Sequence, residues 1–283
     1  MQTQKKIKGL RQTLKTARSQ GKSIALVPTM GNLHEGHLQL VRRARERYDF
    51  IVCSIFVNPM QFSENEDLSA YPRTLEADCE SLRSESCDCL FLPCVKEIYG
   101  DGLEQQTSVH VPGLTENFCG NSRPGHFEGV ATVVTKLFNI AQPDAAFFGL
   151  KDYQQFLVIQ KLTHDLAFDI AIHGIETHRE ESGLAMSSRN NYLSPQHKEQ
   201  AASLYRCLQS CAEKIRQGNT DFQQLENDAK KELKQASLTL DYFQICDSQS
   251  LQAPTTDTQP IAILGAVFIG KSRLIDNIRL QRS

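Results

Sequence analysis

Long apolar runs are what this chain lacks first. No stretch approaches the roughly 18 to 20 consecutive apolar residues that a bilayer-spanning helix needs. The N-terminal MQTQKKIKGLRQTLK carries basic residues without the apolar core of a secretory signal. No membrane partner and a cytoplasmic location are the expectations. Excess charge of one sign is also missing: 31 Lys and Arg stand against 33 Asp and Glu, a net charge of −2 with a pI near 6.5. That balance excludes a nucleic-acid binder that relies on neutralising phosphates, and it offers an anionic membrane surface nothing to attract. No internal repeat, coiled coil or low-complexity tract is visible.

Paired metal-binding cysteines are missing too. The nine cysteines are irregularly spaced, and Cys87, Cys89 and Cys94 in CDCLFLPC form no CxxC-type pair and have no fourth ligand. They read as reduced, buried, structural thiols, which fits a reducing compartment.

What is present is a chain of 283 residues, 40% hydrophobic, long enough for a well-buried core and two domains. Strand-like runs (IALVPT, FIVCSIFV, CLFLP, AAFFG, FDIAIHGI) alternate with helix-like stretches at Leu38–Tyr48, Leu75–Ser84, Val130–Ile140 and Tyr153–Asp165. This alternation predicts an α/β domain over residues 1–175, with a parallel sheet and helices on both faces. Ligands of such sheets bind outside the carboxyl ends of the strands. Pro28–His37, Asn58–Phe62 and Gly149–Gln155 each follow a strand directly, so they are expected to converge on one crevice. After about residue 176 the pattern changes. ETHREESGLAMSSRNN reads as a mobile loop. Helix-like segments at 195–217 and 221–236 and three strand-like pieces then make a smaller α+β domain, 176–283. Thr255–Thr258 reads as an exposed turn.

Several segments could carry chemistry. In PTMGNLHEGHLQLV, His34 and His37 share one face near a helix N-terminus, behind Gly31, Asn32 and Gly36. They read either as a surface histidine and a capping residue or as donors to an anion held at the helix end. Zinc is the weaker reading, since no third ligand is near. In FFGLKDYQQF, Lys151 can pair with phosphate, and Asp152 can cap the helix or meet Mg²⁺ in company with phosphates. Gln154 and Gln155 suit hydroxyls and a carboxylate. AMSSRNNYLS offers two hydroxyls and Arg189 on a loop, as a polyphosphate clamp or a solvated turn. Asn58 and Gln61 end a strand in FVNPMQF, and Arg123, His126 and Glu128 gather before a helix, where His126 reads as structural. GAVFIGKS, residues 265–272, satisfies the P-loop pattern, but its middle residues are a strand pattern and no helix follows, so it is rejected.

HxGH after an early strand, followed much later by an MSSR loop, resembles the nucleotidyltransferase superfamily, in which class I aminoacyl-tRNA synthetases use related HIGH and KMSKS elements. PTMGNLHEGH, VNPMQF, YPRT, RPGHFEGVATVV, FFGLKDYQQ, GLAMSSRNNYLS and RLIDN occur here in that order. Together they are similar to the pantothenate synthetase (pantoate–β-alanine ligase) family, over nearly the whole chain.

The resemblance implies a cytoplasmic homodimer with a Rossmann-like N-terminal domain and a smaller C-terminal lid. It implies that pantoate and ATP, with Mg²⁺, form pantoyl adenylate and pyrophosphate, and that β-alanine then displaces AMP. ATP would be held by Met30, Gly31, Asn32, Leu33, His34, Glu35, Gly36 and His37, by Gly149, Leu150, Lys151 and Asp152, and by the backbone near His178. Met186, Ser187, Ser188 and Arg189 would close over it. His37 would be the acid and His34 would hold phosphate beside it, while Lys151, Ser187 and Arg189 would meet the phosphates as charge develops. Gln61 and Gln155, with Asn58, would bind pantoate, and Gln61 would also touch β-alanine. Asp78 resembles a metal-associated aspartate, and Asp152 is a second candidate for Mg²⁺ accompanying ATP. Two positions depart from the family: Leu150 stands where glutamate is usual, and Ile175-Glu176 where Val-Pro is frequent. No residue assigned to direct chemistry is lost. The alternative is a nucleotidylyltransferase acting on a phosphorylated acceptor. Gln61 and Gln155 argue against it, because a phosphate acceptor calls for more Arg and Lys. A non-catalytic nucleotide- or RNA-binding module is opposed by intact His37, Lys151 and Arg189 and by the acidic balance.

Overall fold

The computed structural model describes residues 1–62, 68, 71–100, 102, 103 and 105–281. The chain separates into two compact units: Met1–Leu150 with Gln154–Glu176, and Lys151–Tyr153 with Thr177–Ser283.

The first unit is built on a six-stranded, wholly parallel sheet. Its strands are β1 (Gln2–Gln4), β2 (Ile24–Thr29), β3 (Phe50–Ile55), β4 (Cys89–Phe91), β5 (Ala145–Gly149) and β6 (Ala171–Ile175), in spatial order β1-β4-β3-β2-β5-β6. Strands covered on both faces read as unbroken apolar runs, and every residue of β3 is buried. Alternate residues serve opposite faces. Ala25, Val27, Ile51, Cys53, Leu90 and Phe147 pack with Leu40, Val41 and Ala44 of the helix Glu35–Arg45 and Leu82 of the helix Leu75–Ser84. The helix Ile7–Ser19 buries Leu10, Leu14 and Ala17, a stripe at helical spacing, and touches β2 and the helix His126–Ala141.

From β2 the chain runs outward through β3 to β4, then crosses back to β5 and β6 on the other side of β2. The order therefore reverses between β2 and β5, where open parallel sheets place their ligand crevice. Thr29 pairs with Ile55 and Gly149 with Ile175, so the loops that leave β2, β3 and β5 start from one edge.

Two helices begin earlier than periodicity predicts. The first starts at Glu35 rather than Leu38, and the second at His126 rather than Val130. Glu35, Gly36 and His37 open the first without an apolar residue, and the second opens on His126, Glu128 and Gly129 around a single Phe127, too little to show the helical period. The strand-like FDIAIHGI shortens to β6, with Tyr48 Oη 3.0 Å from His173 Nε2 beside it. Of the cysteines in CDCLFLPC, Cys87 and Cys89 are buried, but Cys94 is exposed, at the start of the helix Val95–Tyr99. Burial pushes the Cys87 thiol up to about 11 and Cys89 up to about 12.

The second unit holds an antiparallel sheet of β7 (Thr239–Asp247), β8 (Ile261–Ile269) and β9 (Ser272–Leu280), in that order. Leu204, Leu208, Ala212 and Ile215 of the helix Ser203–Arg216 pack on it together with Leu225, Ala229 and Leu233 of the helix Phe222–Gln235. The helix expected over 195–217 is two, Pro195–Ala201 and Ser203–Arg216, joined at Ala202. GAVFIGKS is the second half of β8 and a tight turn into β9 at Gly270-Lys271. Lys151–Tyr153, placed with the first domain by sequence, go with this unit. The Asn277 amide donates to Lys151 O (3.0 Å), the Tyr153 hydroxyl donates to Ser248 O (2.7 Å), and Arg279 lies over the Tyr153 ring. Among the described residues no helix is long and apolar enough to cross a membrane.

One glycine sets a helix against a turn. A Cβ on Gly129 would lie 2.1 Å from Met60 O and 2.9 Å from Gln61 N, so the helix His126–Ala141 can approach Pro59–Gln61 only with no side chain there. Gly129→Ala is expected to destabilise the protein by about 1–3 kcal/mol, the usual range for overpacking. Chemical denaturation measures this, and an unchanged midpoint would contradict the close approach.

Candidate active site

The loop after β2 is set by one carboxylate. Asp78, in the first turn of Leu75–Ser84 and only 3% exposed, accepts the Asn32 N–H on Oδ2 (2.9 Å) and the Leu33 N–H on Oδ1 (2.8 Å). The Thr74 hydroxyl donates to the same Oδ1 (3.0 Å). Gly31 has φ +83°, and a Cβ on it would sit 3.1 Å from Asp78 Oδ2, so glycine lets the loop pass close to the carboxylate. Thr29 Oγ1 donates to Ser54 O (2.7 Å) and accepts the Gly31 N–H (3.2 Å), tying the loop back to the sheet.

That geometry delivers the imidazoles. His34 is the N-cap of Glu35–Arg45 and His37 the third residue inside. The His34 N–H donates to His37 Nδ1 (3.4 Å), which puts the His37 proton on Nε2, and the rings lie 4.0 Å apart. Both are half-buried. A helix N-terminus with two imidazoles is suited to hydrogen bonding with an anion. Glu35 pairs with Arg42, which also pairs with Glu85, so what Glu35 can offer an anion is its backbone N–H. Met30, Leu33 and Gly36 are half-buried in the same loop and helix start.

A second cluster follows β3. Asn58, 1% exposed, donates from Nδ2 to Gln61 Oε1 (2.9 Å) and to Gly129 O (3.0 Å), while its Oδ1 accepts the Tyr99 hydroxyl (2.7 Å) and the Met60 N–H (3.3 Å). Burial pushes the Tyr99 phenol above its ordinary range. Asn58, expected with Gln61 and Gln155 around the substrate, thus bonds Gln61, Gly129, Tyr99 and Met60. His126 Nδ1 lies 2.9 Å from Gln61 O, and Arg123 Nη1 lies 2.9 Å from His126 Nε2. His126 is structural, as expected, and Glu128 is exposed.

The adjacent glutamines differ. Gln154 is buried and bonded on three sides to residues 114–119. Gln155 is half-buried, and no residue among those described hydrogen-bonds its side chain. Gly149 ends β5, and the Leu150 side chain is buried beside Gly174. The Leu150 side chain therefore fills core, and its backbone is what it can offer a ligand.

In the second unit Lys151 Nζ lies 3.1 Å from Asp152 Oδ1. The segment read as a mobile loop folds back on itself through a single bridge and several hydrogen bonds. Arg179 bridges to Ala185, the Met186 N–H donates to His178 O (2.9 Å), and Ser187 Oγ accepts the Arg189 N–H (3.2 Å). Asn190 donates to Glu180 Oε1 and to Ala185 O. Arg179 stacks on Tyr205 and grips the buried Asp276 with both nitrogens (2.5 and 3.0 Å). Burial raises the Asp276 carboxyl pKa, and Arg179 opposes the shift. Ser188 and Met186 are half-buried on this hairpin.

The pantoate–β-alanine ligase family model matches residues 2–279. The chain belongs to that family. It is similar to the pantothenate synthetase of Alteromonas mediterranea (51% identical over 276 residues, 98% of each chain) and to that of Idiomarina loihiensis (54%, covering 95% and 96%). Among solved structures it is similar to the pantothenate synthetase of Thermus thermophilus (TM-score 0.92, 41% identical, covering 98% and 99%). It is also similar to the pantoate–β-alanine ligase of Francisella tularensis (TM-score 0.81, 34%, covering 98% and 97%), which was solved with beta-gamma ATP and β-alanine. The nucleotidylyltransferase alternative is not favoured.

Family motifs pointed to the segments but not to the residues that hold them. YPRT ends in Thr74, which bonds Asp78, and RLIDN holds Asp276 and Asn277, which anchor Arg179 and Lys151. No role for Thr74, Asp276 or Asn277 was visible in the sequence, because their partners are distant in the chain. Among the described residues there is no group of three or more His, Cys, Asp or Glu that could hold a metal ion. Asp78, expected near metal, has both oxygens engaged by the loop. Asp78→Ala leaves two buried N–H groups unpaired and is expected to cost about 2–4 kcal/mol. Calorimetry measures it, and a cost below about 1 kcal/mol would contradict the clamp.

Proposed function

We propose that this ligase-family protein joins pantoate to β-alanine in two steps driven by ATP. The pantoate carboxylate attacks the α-phosphorus of ATP, and pyrophosphate leaves with the electron pair of the broken P–O bond. The β-alanine amine then attacks the adenylated carbonyl, AMP leaves, and the amine proton is lost. Adenylation is required because a free carboxylate is a poor acylating agent. Family membership across residues 2–279 is the observation that carries the reading, and the imidazole pair at the start of Glu35–Arg45 supports it.

Phosphoryl transfer spreads negative charge over oxygens, so catalysis rests on positioning and on fixed donors. His37, with its proton on Nε2, donates to a phosphate oxygen as charge builds, and His34 holds phosphate beside it. The helix N-terminus adds backbone N–H groups from Glu35 and Gly36, and Met30, Gly31, Asn32 and Leu33 let the nucleotide approach backbone. Gly149 and Leu150 contribute backbone as well. Lys151, Ser187 and Arg189 meet phosphates, Met186 and Ser188 close over the nucleotide with them, and the backbone near His178 meets adenine. Gln61 and Gln155 take the hydroxyls and carboxylate of pantoate, and Gln61 also meets β-alanine.

Mg²⁺ fits as an ion carried by the triphosphate. Such an ion keeps several waters and needs only one or two carboxylates, and Asp152, its side chain 44% exposed beside Lys151, is the candidate. The ion would neutralise phosphate charge. Asp78 does not fit, since the loop occupies it. The proposal includes a Rossmann-like frame for the parallel sheet and a cytoplasmic homodimer. Sedimentation should give about twice 31.8 kDa.

The purified protein should release pyrophosphate only when ATP and pantoate are both present, and AMP and pantothenate should follow on adding β-alanine. Formation of ADP would overturn adenylation. His37→Ala should lower kcat/KM by about 10²-fold or more, and an unchanged rate would remove its role.

A further inference from the structure

The two glutamines proposed to take the hydroxy acid stand on different elements, and one segment holds Gln61 at one end and Gln154, the chain neighbour of Gln155, at the other. Gln61 closes the turn Pro59–Gln61 after β3, whereas Gln155 lies in the first turn of the helix Tyr153–Asp165. The chain between Leu114 and Gly129 bonds Gln61 directly and bonds Gln154 beside Gln155. Gln154, one residue before Gln155 and 5% exposed, donates from Nε2 to Leu114 O and Asn117 O (both 2.8 Å) and accepts the Cys119 N–H on Oε1 (3.1 Å). The segment is then stitched to itself: Gly120 N–H to Asn117 O (2.9 Å), Ser122 N–H to Phe118 O (3.1 Å), His126 N–H to Arg123 O (3.1 Å).

At its other end it holds Gln61. Arginine has no acceptor, so His126 Nε2 accepts from Arg123 and the ring proton sits on Nδ1, donated to Gln61 O. Asn58 completes the grip by joining Gln61 Oε1 to Gly129 O. His126, Gln154 and Asn58 are all buried, so water does not compete for these bonds.

Resting on the ligase reading, we propose that Gln154 and His126 are positioning residues: through residues 114–129 they fix Gln155 and Gln61 relative to one another and so set recognition of the hydroxy acid. Neither needs to touch substrate. Misplacing a binding group by about 1 Å can cost two orders of magnitude, so loosening either end should weaken pantoate selectively. The bonds named here run to Gln61 and Gln154 and not to the residues proposed to hold ATP, so the KM for ATP should move little.

The test is steady-state kinetics on the full-length enzyme with Gln154→Met, His126→Leu and His126→Asn. The Asn amide can stand in for the Nδ1–H donor. Gln154→Met and His126→Leu should raise the KM for pantoate by about tenfold or more with the KM for ATP within about twofold, and His126→Asn should recover most of the loss. A parallel rise in both KM values, or an unchanged pantoate KM, would overturn the proposal. Should either apolar variant fail to fold, the same readout on Gln154→Glu decides, since it keeps the Cys119 acceptor and loses both donors. Wild-type enzyme without pantoate-dependent pyrophosphate release would sink the ligase reading. Wild-type release with unmoved variants would sink only this inference.

Discussion

One buried carboxylate accepting two consecutive backbone N–H groups organises the loop that follows β2. Asp78 meets Asn32 and Leu33 across 46 and 45 residues of chain. Those bonds let the chain leave β2, turn through left-handed Gly31 and Asn32, and enter the helix at His34 with a set orientation. Charge-assisted bonds of this kind are worth about 1.5–3 kcal/mol each, and they add to the packing of Leu33 against the sheet's core. The positions of His34 and His37 follow from that clamp, and the proposed phosphate chemistry follows from the histidines.

The same design recurs around the other proposed site residues. Several of the side chains expected to meet a ligand stand next to a buried polar residue bonded within the protein. Asn58 holds Gln61, Gln154 sits beside Gln155, and Asn277 caps the backbone of Lys151. Asp276 grips Arg179 at the root of the hairpin that carries Ser187 and Arg189. Buried polar groups left half-paired are costly, and fully paired ones hold a single geometry. A two-step reaction through a water-sensitive adenylate gains from that rigidity.

Much of the fold was legible because the parallel strands are apolar on both faces. IALVPT and AAFFG gave β2 and β5 with their bounds, and the helices Leu75–Ser84 and Tyr153–Asp165 were also read with theirs. Helix starts at Glu35 and His126 were read late, since His-Glu-Gly-His and His-Phe-Glu-Gly open on polar groups that carry cap and site rather than core. β1, the polar Gln2–Gln4, has no hydrophobic signal at all and exists through its pairing with β4. The segments of the candidate site were legible through their motifs and their place after strands. The jobs within them were not: a lone aspartate in a helix's first turn looks the same whether it meets metal or backbone. Gln154 and Gln155 differ only in which side of the helix they face, and the break at Ala202 carries no glycine or proline to mark it.

Amide hydrogen exchange at Asn32 and Leu33, followed by NMR, tests the Asp78 clamp most directly. Both amides sit in a loop, where exchange is ordinarily fast. The account predicts that they exchange as slowly as amides of β2 and β3, and that Asp78→Ala releases both together while the strands stay protected. Fast exchange of either amide in the wild-type protein would contradict it.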